Sequence, residues 1–252
     1  MKNSSGFTLI ELVIVIVILG VLGVMGSDFI SSAFKGFSAT DARMEMYEEG
    51  KIALVRMERE IHNAIPNGVN LAAANELQLG VIDEQEMRVQ NLFGRYTELS
   101  ADFPTLTLTD NDGAASPQIN WVVSLYNRNW SDFNGGSRLF SVTGVSANEM
   151  TFGVNLNDPS PSRRYYVVDK AVSYFWDSTD NTLYRSVATV SAATGVGSFS
   201  TKYPLATHIN NLQFQYAAGT LARNGLVIID MVMARGAEEI SFHKEIHIRN
   251  VP

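Results

Sequence analysis

The chain has 252 residues, with 19 Lys+Arg against 26 Asp+Glu and a formal net charge of −7, so a general basic surface for nucleic acid is not expected. It contains no cysteine, which excludes disulfides, thiolate zinc sites, iron–sulfur clusters and cysteine nucleophiles. Hydrophobic residues make up 46% and charged residues 18%, too apolar a balance for a largely disordered chain; the roughly 190 residues beyond the N-terminal segment suffice to bury a core.

Phe7 to Met25 reads FTLIELVIVIVILGVLGVM, 19 residues with a single charge, Glu11. This matches the ~20 apolar residues of a bilayer-spanning helix. A cleaved secretory signal fits poorly. The segment before the run carries only Lys2 as a positive charge, and the run has no exit of small residues. The continuation has no proline before Pro66. Its apolar residues Ile30, Phe34, Phe37, Met44, Tyr47, Leu54, Met57, Ile61 and Ile65 fall at helical steps. The spacing therefore predicts one helix over 7–65, with 7–25 transmembrane and 26–65 amphipathic. At 1.5 Å per residue it is roughly 85–90 Å long. Gly20, Gly23, Gly26, Gly36 and Gly50 are expected weak points along it.

From residue 66 onward the pattern changes to short alternating or β-branched runs separated by Asn, Asp, Gly, Ser and Pro. Strands are expected at Glu76–Ile82, Ile119–Asn127, Arg138–Val142, Met150–Val154, Tyr165–Trp176, Thr182–Val187, Leu212–Tyr216, Leu226–Ala234 and Glu239–Arg249. Asp177–Asn181 reads as a hairpin loop. Asn127–Gly136 and Ser191–Ser200 read as surface loops. The expected fold class is α+β: a long N-terminal transmembrane and amphipathic helix packed on a mainly antiparallel β-sheet head at 66–252.

Several patterns suggest chemistry without supplying it. His243-Lys-Glu-Ile-His247 resembles HExxH, but lysine stands where the motif needs glutamate. The segment also alternates as a strand, which puts residues four apart about 13 Å from each other. Ser241 and Lys244 fit S-x-x-K without the helix that would bring them together. Asp110 and Asp112 open a run like a calcium loop, and Asp177 and Asp180 form a second acidic turn. Counting Asp110 as the first position, the twelfth is Trp121 rather than the required glutamate. Asp110 and Asp112 are thus weak calcium candidates, and otherwise no metal, cofactor or catalytic residue is expected. Trp121, Trp130 and Trp176 are expected to pack in the core or on the sheet rather than line a sugar site. No Ser–His–Asp set, phosphate loop or carboxylate pair stands out, so an enzyme is not expected.

The informative cluster is Gly6-Phe7-Thr8-Leu9-Ile10-Glu11. A carboxylate in a spanning segment costs about 2.5–3.5 kcal/mol, so Glu11 needs a partner. A chain cut between Gly6 and Phe7 would expose an α-amine four residues before Glu11, and a neighbour's amine could pair with it. Gly6-Phe7-Thr8-Leu9-Ile10-Glu11-Leu12 resembles the class III signal of type IV prepilins and type II secretion pseudopilins. The resemblance implies a cytoplasmic leader at 1–6, cleavage between Gly6 and Phe7 by a prepilin peptidase, and N-methylation of Phe7. It also implies an assembly contact at Glu11, and as partners other major and minor pilins through their N-terminal helices, the inner-membrane assembly platform, and the inner membrane before assembly. The expected location is a single-pass inner-membrane protein with a periplasmic head, then a pilus fibre. Major pilins commonly carry a kinking proline where this chain has Asp28, and many close a C-terminal disulfide loop. The missing proline and cysteines favour a minor pilin or pseudopilin.

Three further segments carry a narrower resemblance. They are Leu54-Val55-Arg56-Met57-Glu58-Arg59-Glu60-Ile61 with Asn63–Asn67, Tyr174–Asp177 with Leu183–Arg185, and His247–Pro252. They are similar to minor pilins of the MSHA (mannose-sensitive haemagglutinin) biogenesis protein O type, and more loosely to the type II secretion pseudopilin J. That resemblance implies a structural role in fibre initiation or tip assembly. A J-like pseudopilin and a tip adhesin binding a glycan or surface are the alternatives.

Overall fold

The computed structural model describes residues 8–83, 94–97, 103–111, 117–220 and 223–248. Helix α1 spans Leu9–His62, 54 residues, or about 80 Å. It runs without interruption through all five glycines. Asn63 caps its end, its N–H reaching back to the Arg59 carbonyl. Ala64 and Ile65, expected in the helix, begin a strand instead. Pro66 is the cause, because a proline disfavours helical geometry in the residue before it.

The helix is half embedded and half bare. Its buried residues are Met46, Gly50, Ala53, Leu54, Met57, Glu60 and Ile61. The expected stripe holds at Leu54, Met57 and Ile61, but Ile30, Phe34, Phe37 and Met44 are exposed. Tyr47 is also largely exposed, one ring face stacking on Phe242 at 6.0 Å. The reason is reach, since the sheet covers the helix only from about Met46 onward. Each fully buried Met57 or Ile61 side chain stabilises this contact by about 1.5–3 kcal/mol. Gly50 is no bend point. A Cβ there would lie 2.6 Å from the Phe242 ring and 2.8 Å from Met233 Sδ, so glycine lets helix and sheet approach.

The head has fifteen strands among the described residues, in the order β1 (Ala64–Ala73), β2 (Glu76–Ile82), β3 (Gly94–Arg95), β4 (Thr105–Thr109), β5 (Val122–Ser124), a short helix α2 (Trp130–Asn134), β6 (Leu139–Ser146), β7 (Glu149–Leu156), β8 (Arg164–Asp177), β9 (Thr182–Ala188), β10 (Val190–Ser191), β11 (Gly195–Val196), β12 (Lys202–Ala206), β13 (Ile209–Ala217), β14 (Leu226–Arg235) and β15 (Glu238–His247). All pairings are antiparallel.

The long strand β8 organises two halves of one sheet. Its second half, Ala171–Asp177, pairs with β2 and β9, which carry β1 and β12 at the edges. Its first half pairs with β3 and β5, and the sheet continues β5–β6–β7–β4. A bridge from Tyr96 to Asp110 joins β3's continuation to that of β4, so this half curls back on itself. Tyr96, Leu108, Val123, Phe140, Phe152 and Tyr165 pack into its core. Where α2 meets β2, Phe133 is fully buried against Gly80.

A separate three-stranded sheet, β13–β14–β15, lies along α1. Leu77, Leu79, Val172, Tyr174 and Leu183 of the main sheet share a second core with Phe214, Ile229, Met231 and Met233 of the small one. The embedded half of α1 contributes Met46, Ala53, Met57 and Ile61 to it. The fold is thus the expected α+β arrangement of a long helix and an antiparallel head.

Candidate functional site

Two places in the molecule bear on function. The first is the bare end of α1. From Leu9 to Met25 every Leu, Ile, Val and Met side chain is exposed, Leu9 by 82% and Val24 by 66%. Among the described residues this is one helix long and apolar enough to cross a membrane. Apolar surface of that extent must be covered by lipid or other apolar helices.

Glu11 sits in its first turn. The Thr8 hydroxyl accepts a hydrogen bond from the Glu11 N–H at 3.4 Å. In return Glu11 Oε2 accepts from the Thr8 N–H at 3.4 Å and the Thr8 hydroxyl at 3.3 Å. This is a reciprocal capping box, and it starts the helix at Leu9. It also places a negative charge at the positive end of the helix dipole. The carboxylate stays solvent-exposed and reachable by a cation. This cap was not singled out from the sequence, although Thr-x-x-Glu before an apolar run is its local signature. Gly6 and Phe7, the expected cleavage and methylation residues, lie outside the described residues.

The second place is where α1 meets the main sheet. Glu60 is buried to 5% exposure. Arg185 grips it with both arms, Nη2 to Oε1 at 2.8 Å and Nε to Oε2 at 3.1 Å. The Tyr174 hydroxyl donates to Oε2, and Arg56 approaches Oε1 at 3.5 Å from one turn earlier. Burial by itself would raise the Glu60 pKa, but the hydrogen bonds from Arg185 and Tyr174 and the two arginine charges outweigh it and hold it lowered. Tyr174 moves well upward, first through burial and then through the Glu60 charge. Glu60 comes from one segment singled out in the sequence and Tyr174 and Arg185 from another, and the fold brings them together. Their role is to fasten helix to head.

Exposed ion pairs continue the seam, Arg43 to Glu238 at 3.3 Å, Glu45 to Arg235, and Glu58 to Lys244 at 3.0 Å. Such pairs add little each. Glu49 accepts from the Thr207 N–H at 2.7 Å.

The remaining sequence signals fall apart in space. Ser241 and Lys244 emerge on opposite faces of β15, and Lys244 pairs with Glu58. His243 is exposed and pairs with Asp230 at 2.6 Å. The His247 carbonyl contacts the His62 ring at 2.6 Å. Asp110 is buried and accepts from the Tyr165 hydroxyl at 3.0 Å; Asp112 lies outside the described residues. Asp177 accepts from Thr179 in its own turn, and Asp180 accepts from Thr182 and Tyr184 at the start of β9. Among the described residues no group of three or more His, Asp or Glu is placed to hold a metal ion. Trp121 is buried, and Trp130 packs with it in the first core, while Trp176 packs against the second. Asp28, where a kinking proline is common in major pilins, lies within the uninterrupted helix, and Arg249–Pro252 lie outside the described residues.

Residues 1–27 match the family model for the prokaryotic N-terminal methylation motif. No curated protein and no solved structure matches the chain. The motif supports a type IV prepilin-like protein, with processing by prepilin peptidase and assembly among pilins in general, and together with the bare apolar helix it fits membrane anchoring.

Proposed function

We propose that this chain is a minor pilin of an MSHA-like type IV pilus, acting structurally rather than as an enzyme. Prepilin peptidase removes residues 1–6 and methylates Phe7. The head stands in the periplasm while the apolar half of α1 crosses the inner membrane. During assembly that half leaves lipid for a bundle of equally apolar helices, an exchange with little hydrophobic cost. The head then takes its place at or near the fibre tip.

The observation that carries this reading is a bare apolar helix whose first turn holds one exposed carboxylate, inside a methylation motif. The capping box gives Glu11 a stable resting position. A neighbour's methylated amine is a stronger partner than a neutral N–H, because a charge-assisted hydrogen bond is roughly twice as strong as a neutral one. Exchange of partners at Glu11 therefore favours docking, and the Thr8 cap is given up without leaving a bare charge.

The test is fibre incorporation in the native host. Glu11→Ala should be processed and membrane-inserted yet absent from sheared fibres, and fibre number should fall. Normal incorporation of Glu11→Ala would overturn the assigned contact. A J-like pseudopilin of type II secretion shares the same N-terminal chemistry. It would be recognised if deletion left pili intact and stopped secretion.

A further inference from the structure

Strand β15 is an open edge. It pairs with β14 in unbroken register from Leu226 opposite His247 to Arg235 opposite Glu238, and among the described residues no strand lies on its other side. One bond sets the phase of the ladder: the Ile248 N–H donates to the Gly225 carbonyl at 2.8 Å. Bonding alternates along an antiparallel pair. Ile240, Phe242, Lys244 and Ile246 therefore bond to β14, and Glu239, Ser241, His243 and Glu245 aim their N–H and C=O groups outward. In the same outward row the His247 carbonyl meets the His62 ring. The backbone groups of Glu239, Ser241, His243 and Glu245 have no such partner among the described residues. Strands β1 and β12, at the edges of the main sheet, are blunted by Pro66 and Pro204 and by breaks in register. Strand β15 has neither proline nor bulge, and such an edge is a template for another strand. Its inward-turned charge, Lys244, is neutralised by Glu58 of α1 at 3.0 Å.

Helix α1 runs beside this edge in the same direction. Arg43 reaches Glu238, Tyr47 stacks on Phe242, Glu58 pairs with Lys244, and His62 meets His247. Tyr47, Glu58 and His62 belong to one stripe of the helix, whose other members at the same helical steps are Met44, Lys51 and Val55. Met44 and Val55 are exposed, and so is half of Tyr47. The Lys51 ammonium lies 5.9 Å from the Tyr47 ring centre. Edge and stripe together make a corner. One wall offers backbone donors and acceptors, and the other offers apolar side chains.

We propose that this corner takes up an extended strand of a different polypeptide, added to the edge of β15. Main-chain bonds to Glu239, Ser241, His243 and Glu245 supply affinity, and alternate side chains supply selectivity. On the inner face the added strand meets Met44, Tyr47 and Val55, so its residues there are apolar. On the outer face it lies beside Glu239 and Glu245, both exposed, so the residues opposite them are Lys or Arg, because opposite charges directly across a ladder stabilise it. A second copy of this chain fits less well. Two β15 strands paired antiparallel would point their α1 helices in opposite directions, which two chains anchored in one membrane cannot do; this step rests on the membrane reading proposed above.

The test is backbone amide exchange, followed by NMR on the full-length chain in uncharged detergent. In the free protein the amides of Glu239, Ser241, His243 and Glu245 should exchange fast, and those of Ile240, Phe242 and Lys244 slowly. The probe is a short synthetic peptide with Val on one face and Thr on the other, Lys replacing Thr at the two positions that face Glu239 and Glu245. It should slow the four outward amides saturably. The same peptide with N-methyl groups on its pairing residues keeps the side chains but lacks the donors, and should bind about tenfold more weakly or not at all. Glu239→Lys/Glu245→Lys should weaken the Lys peptide by a similar factor and favour its Glu counterpart. Ser241→Pro removes an outward N–H that β14 does not use and should abolish binding; should it misfold, the exposed charge reversal decides. Equal binding of the N-methylated peptide, no protection by any peptide, or unchanged peptide preference after charge reversal would overturn the proposal. So would outward amides already slow in the free protein, and if that protection rose with protein concentration the occupant would be a second copy. None of these readouts depends on N-terminal processing.

Discussion

Glu60→Ala isolates the contact that joins helix to head. The variant leaves the Arg185 guanidinium, whose side chain is only 11% exposed, without its two carboxylate bonds. It also strips Tyr174 of its acceptor. Breaking a buried pair from one side costs about 3–5 kcal/mol. Replacing all three polar groups, as in Glu60→Leu/Arg185→Met/Tyr174→Phe, leaves no charge behind and should recover most of the loss. The assay is reversible unfolding of the full-length protein in uncharged detergent, followed by near-ultraviolet circular dichroism of the head's aromatics. The pH dependence adds a second reading. The folded-state pKa of Glu60 is lowered from 4.5, so its ionised form contributes stability that is fully present above the unfolded value. That contribution is lost as pH falls through the lower folded value. The parent should therefore weaken below about pH 4.5 more steeply than Glu60→Ala. A Glu60→Ala variant within 1 kcal/mol of the parent, by the same scale, or with the same acid slope, would refute the reasoning.

Other expectations follow from glycine spacing and capping. Gly80→Ala would place a Cβ 2.3 Å from the buried Phe133 ring, and overpacking there should lower stability by about 1–3 kcal/mol in the same unfolding assay. Gly36→Ala meets nothing within 4 Å and should leave the head's stability unchanged while raising local helicity by up to about 1 kcal/mol. Thr8→Ala removes the cap of α1 and should weaken the first turn by about 1 kcal/mol. Amide exchange at Leu9 to Leu12 should speed up in micelles, with the head's unfolding unchanged.

Much of this architecture was legible in the sequence because its signals are local. Strand β2 falls at the expected Glu76–Ile82, and the Asp177–Asn181 hairpin joins β8 and β9 as its turn residues imply. What stayed hidden was set by distant partners. Strand β1 carries Pro66, Asn67 at φ +56° and Gly68, and so looks like a loop; it survives as an edge strand, where a missing N–H is tolerated. Strand β12 is likewise an edge and contains Pro204. Helix α2 lies in a stretch expected to be a loop. It is too short for periodicity, and is set by the Asn129 cap on Asp132 and by Phe133 filling the space above Gly80. At the site, the Glu11 motif was readable from adjacent residues. The Glu60 cluster joins residues 114 and 125 positions apart, a closure that no local pattern announces.

The central claim is that this chain is a processed prepilin. It is tested most directly by the mass of the N-terminal peptide of the protein taken from its native host. The account predicts a peptide that begins at Phe7 and carries one methyl group on its amine. A peptide that retains Met1 to Gly6, or a mature chain that begins beyond Met25, would contradict it.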